Sequence, residues 1–273
     1  EAQAGQEAAR SHAPSGEEQA GKLDGLCWTT TGEVFQPIRI YYEALKIMKI
    51  LKVFNTLKCM DFDEAKPRWV WLYTGEAAHL GFRKPAVNPK HPVVLGSFIR
   101  FYDDLIYLDV NSMERALAAI TFFDKHLPRT AARLWYLSLI NRVFSYREAQ
   151  QFDANHYFDA KMEFVDPAEQ LTEQLETLSA AAPDDDERMA RLQRFFAERE
   201  TAPLAEVEHF AIRYYDEGLT PLQLIMNTRQ RVALEHWKGH EDYTRADYLA
   251  AVERVLASIR AGLLRFLHDR PWL

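Results

Sequence analysis

Cysteine is nearly absent: Cys27 and Cys59 are the only two in 273 residues. A disulfide scaffold needs more pairs than that in a chain this long, so both thiols are expected to be free, in a reducing, cytoplasmic setting. Long apolar runs are missing too. The greasiest stretch, Ile38 to Leu57, is cut by Lys46, Lys49 and Lys52 well short of the roughly 20 residues that a membrane span requires, so no membrane partner is expected. Glycine is sparse, at 11 residues, and none sits in the strand-to-helix context of a phosphate-binding loop. There is likewise no nucleophile elbow and no Cys-x-x-Cys pair. These absences disfavour the common nucleotide-binding folds and most motif-based enzymes, and no cofactor is expected.

The chain opens at Glu1 without a charged-then-apolar signal segment. Residues 1–24 form a polar Ala/Gly/Glu/Gln tract with nothing to bury, the composition of a linker or disordered tail. That start fits either a portion of a longer protein or a chain numbered after a removed tag.

Charge divides the remainder. Residues 25–147 carry 17 Lys/Arg against 11 Asp/Glu, whereas residues 148–273 carry 14 against 24. Such asymmetry marks either a nucleic-acid-facing lobe or two lobes that attract each other, and the second reading needs no ligand. The expected organisation is a tail over 1–24, a mixed α/β lobe with a basic first part over 25–180, and an acidic helical lobe over 181–273. The Ala180–Asp186 stretch serves as the linker.

Apolar positions Ile38, Tyr41, Leu45, Met48, Leu51 and Leu57, entered through Pro37, predict a helix over 37–58. Trp69 to Tyr73 reads as a short strand, and 93–102 with 105–110 as a hairpin, because Ile106, Leu108 and Val110 alternate with Tyr107 and Asp109. Asn111 or Ser112 caps a helix whose stripe is Met113, Ala116, Leu117, Ile120, Phe123 and Leu127. Beyond Pro128 only helices are expected, over 129–149, 167–180, 185–200, 203–217, 220–237 and 244–269. The fold class is thus α+β but predominantly α: a small antiparallel hairpin or sheet packed with helices in the first half, and an all-helical second half.

Three kinds of site are conceivable. Leu249, Val252, Leu256, Ile259, Leu263 and Phe266 alternate steps of three and four, the seam of a coiled-coil-like helix. It is expected to pack on the 220–237 helix through Leu222, Ile225 and Val232, or else on a second copy. Lys46, Lys49, Lys52, Arg129, Arg133, Arg142 and Arg147 lie among aromatics, the general recipe for single-stranded nucleic acid. Most of those aromatics alternate with aliphatics and belong to a core. His236 and His240 have the i, i+4 spacing of two metal ligands, with Gly239 interrupting the helix between them. Two Glu-x-x-His pairs, Glu76/His79 and Glu206/His209, and the Asp153, His156, Asp159, Glu163 cluster complete the acid/imidazole groups. Surface roles suit all of these better than a bundle metal site. The leading expectation is a non-catalytic protein-interaction subunit or portion of a larger intracellular assembly. A nucleic-acid-binding subunit ranks second and a metal-dependent enzyme third.

Overall fold

A computed structural model describes residues 25–83, 92–102, 104–159 and 167–268. The tail at 1–24, Glu163 and the side chains of Leu263 and Phe266 lie outside what it describes. The elements run β1 (Ile38–Ala44), α1 (Ile47–Thr56), β2 (Met60–Asp63), β3 (Arg68–Leu72), a 3-10 turn (Gly75–His79), β4 (Val94–Tyr102) and β5 (Leu105–Val110). Next come α2 (Met113–His126), β6 (Ala132–Ile140), α3 (Tyr146–Gln150), α4 (Ala154–Phe158), α5 (Pro167–Ala180) and α6 (Asp185–Thr201). The order closes with β7 (Val207–Ala211), α7 (Tyr214–Glu217), α8 (Thr220–Trp237) and α9 (Arg245–His268).

The seven strands make one antiparallel sheet in the order β2-β3-β4-β5-β1-β6-β7. This corrects the expectation of a predominantly helical chain with a small hairpin. The molecule is mixed α/β, and its second half is not all helical, since β7 joins the sheet beside β6. Three segments that read as helices contain strands, and one physical reason covers two of them. In β1, Ile38, Ile40 and Tyr42 face one side and Arg39 and Tyr41 the other, and all five are buried. A strand covered on both faces loses its polar/apolar alternation, and its apolar set then passes for helical spacing. The same holds for β6, where Leu134, Tyr136, Leu137, Leu139 and Ile140 are all buried. In β7, Val207 is buried and Glu208 to Ala211 are half-buried, so a short strand sits behind Pro203, which suggested a helix start. Of the 37–58 helix only Ile47–Thr56 forms, held by Ile50 and Phe54 one turn apart on its buried face.

One face of the sheet packs on α1, α2 and α8, which supply Phe54, Phe123 and Met226 to the main core. Phe98 of β4 lies between Phe54 and Phe123 at 4.8 and 4.7 Å, and Trp71 of β3 meets Phe123 at 5.2 Å. α2 begins where expected, the Ser112 hydroxyl accepting from the Arg115 amide at 3.1 Å. Gly96 of β4 sits directly against β5, where a Cβ would come within 2.7 Å of the Asp109 carbonyl oxygen. Only glycine permits that approach. The other face gathers Tyr41, Leu105, Tyr107 and Tyr136.

Candidate functional site

Among the described residues, Arg39 is a charged group sealed inside the molecule, with no exposed surface. It projects from the start of β1 onto the tyrosine face. Its Nε and Nη2 donate to the two oxygens of Asp109 on β5 at 2.7 and 2.9 Å, the planar fork geometry that suits a carboxylate. Nη2 also donates to Asn155 Oδ1 at 3.2 Å, and Nη1 donates to Asp159, so the guanidinium draws α4 down onto the sheet. The Tyr107 ring lies 3.8 Å from the guanidinium carbon, a stacked cation on an aromatic face. Burial disfavours the Arg39 charge, yet the Asp109 carboxylate more than offsets this and holds its pKa above the ordinary value. Burial pushes Asp109 upward, against the pull of Arg39. With its nitrogens committed to Asp109, Asp159 and Asn155, the cation is a clamp between strand and helix.

Beside it, the β6–β7 register sets Ser138 opposite His209, with Oγ 2.6 Å from Nδ1. The serine also donates to Tyr41 Oη at 3.1 Å. A serine touching an imidazole is the beginning of a nucleophile–base pair. Ser138, however, is wholly buried within the sheet and is already engaged by Tyr41. The contact was invisible in the sequence, where the two residues stand 71 apart.

A second buried arginine, Arg115 of α2, donates to Thr31 Oγ1 at 2.7 Å and to the Val94 carbonyl at 3.1 Å, and its Nε lies 3.3 Å from Glu33. It fastens the segment before β1 to the start of β4. At the C-terminal end of α8, buried Glu235 receives Arg231, Lys238 and His240 at 2.7, 3.0 and 2.7 Å. Burial pushes its carboxyl upward, but the hydrogen bonds from His240 and Lys238 and the charges of Arg231 and Lys238 win and hold it below the ordinary range.

The expected metal pair is thereby separated. His240 turns to Glu235, and His236 Nε2 meets the Tyr243 carbonyl at 2.8 Å. Glu76 accepts from the Cys59 amide at 3.1 Å while His79 is exposed, and Asp153 caps α4. Glu206 and His209 belong to a strand region, not to a helix face. Among the described residues, no group of three or more His, Cys, Asp or Glu comes together to hold a metal ion.

The seven candidate cations do not form one stripe. Lys46, Lys49, Lys52 and Arg133 are exposed near the start of β6. Arg142 and Arg147 follow its end, roughly 30 Å away at about 3.3 Å per residue. Arg129 forms a two-pronged pair with Asp124 at 3.0 and 2.9 Å, and Arg142 pairs with Glu148.

The seam of α9 is placed differently from expectation. Leu222 and Val232 of α8 are buried, but Leu256 and Ile259 are 59% and 61% exposed, and Val255 is 58% exposed. α9 packs on α8 and α6. Leu249 and Val252 are half-buried, whereas every residue from Glu253 to Arg260 is exposed. The helix thus runs off the body, carrying bare aliphatic side chains with it. α6 adds Met189 and Phe196, both exposed and seven residues apart on one face. No helix among the described residues is long and apolar enough to cross a membrane. Comparisons with protein-family models, curated proteins and solved structures find no match.

Proposed function

We propose that this chain is a non-catalytic interaction subunit of a larger intracellular assembly, and that its helical part, α6 and α9, is the surface it offers to a protein partner. The observation that carries the reading is the exposed aliphatic run Val255, Leu256 and Ile259 on a helix that has left its own core. Large side chains at interaction surfaces gain about 25 cal/mol for each Å² of apolar area withdrawn from water, so a contiguous set of them is a reserve of binding energy. The body supports the same reading. Among the described residues, buried Arg39 and Arg115 are each paired across elements, and buried Glu235 is paired within the end of α8.

A photo-crosslinking residue placed at position 256 of the full chain, in its native host, tests this. Capture of a polypeptide that is lost with Ile259→Asp is the expected result. Crosslinks confined to the chain's own body would refute it.

A further inference from the structure

We infer that the partner covering α9 is a second copy of this chain, the two α9 helices crossing antiparallel between Leu256 and Ile259. The inference rests on the interaction reading above and names its occupant from charge and shape. Antiparallel pairing brings Leu256 against the partner's Ile259, and by the two-fold axis Ile259 against the partner's Leu256. In the same register Glu253 lies across from the partner's Arg260 on one flank, and this opposite-charge pair occurs twice. On the other flank Val255 falls opposite the partner's Gly262, so no like charges meet there. A parallel pairing would set Glu253 near the partner's Tyr248 and Arg260 near the partner's Val255, and would match no charges.

The helix itself calls for such cover. At 1.5 Å per residue, α9 is about 36 Å long, and every side chain from Glu253 to Arg260 is exposed. A helical stretch of about two turns with no packing of its own is marginal in water. Pairing two of them satisfies both stripes at once, with no change to the sheet.

Sedimentation of the full chain over a range of concentrations tests the inference. The mass should rise from 31.7 kDa towards twice that value. Glu253→Arg should weaken association at least tenfold, and adding Arg260→Glu to the same chain should restore it. All of these positions are exposed, so the variants leave the core intact. A wild type that stays at the single-chain mass, or a Leu256→Asp variant that associates as well as wild type, would overturn the self-pairing. In that event, capture of a different polypeptide from position 256 would preserve the interaction reading, and capture of none would end both.

Discussion

Replacing Arg39 with leucine removes the one cation that faces Asp109 and Asp159 together, and its cost can be worked from the structure. Breaking a buried ion pair by deleting one partner costs about 3 to 5 kcal/mol, chiefly because the other charge is left without compensation. Asp109 and Asp159 keep 18% and 33% of their side-chain surface in water, which places the expected loss near the lower end, about 3 kcal/mol. In urea, with a slope of about 3 kcal/mol per molar for a chain of this size, the midpoint followed by tryptophan fluorescence should fall by about 1 M. The loss should also depend on pH. Burial holds the Asp109 carboxyl above its ordinary value of 3.8, so protonation favours the folded state. That contribution is present in full below 3.8 and is lost as pH rises through the raised value. Without Arg39 the rise is no longer restrained, and the gap between variant and wild type should widen from pH 4 to pH 7. Arg39→Leu combined with Asp109→Leu should recover most of the stability, since an apolar pair replaces an ionic one. A single variant within about 0.5 kcal/mol of wild type, or a double variant no more stable than Arg39→Leu, would refute the clamp.

Gly96→Ala should destabilise by about 1 to 3 kcal/mol through overpacking, because its Cβ would press on the Asp109 carbonyl oxygen; an unchanged melting temperature would show that β4 can shift. Cys59 is sealed in the core, and burial together with neighbouring Glu76 pushes its thiol up to about 12, so iodoacetamide at pH 8 should label it only in denaturant; labelling of the native chain within minutes would contradict that placement.

What the sequence disclosed depended on whether one face of each element met water. The β4–β5 hairpin was readable because Asp109 interrupts the apolar alternation of Ile106, Leu108 and Val110. α2 was readable because Ser112 caps it and charged residues occupy the side away from its stripe. β1 and β6 hid because both faces are covered, and a lone Arg39 between Ile38 and Ile40 looked like one more member of a lysine-bearing helix face. In hindsight a single arginine inside a β-branched run, together with a single aspartate between Leu108 and Val110, was the only trace of the clamp. Ser138 and His209 left none, since strand register brings them together. The extent of α9 was nearly right, whereas the exposure of Leu256 and Ile259 on the side away from α8 was not legible, because spacing shows that a stripe exists and not what lies across from it.

The place of β1 inside the sheet, between β5 and β6, bears on how the chain is made. Its neighbours are β5, with Ile38 opposite Val110, and β6, with Ile38 opposite Leu139. During synthesis at about 5 to 20 residues per second, β1 leaves the ribosome on the order of 5 to 20 s before its last neighbour exists. Until β5 and then β6 are made, a largely apolar segment destined for cover on both faces lacks its partners, the condition under which nascent chains aggregate or recruit chaperones. Pro37 immediately before it and Lys46, Lys49 and Lys52 soon after stand where gatekeepers are needed, so the lysines of α1 serve the unfinished protein before they decorate the finished one.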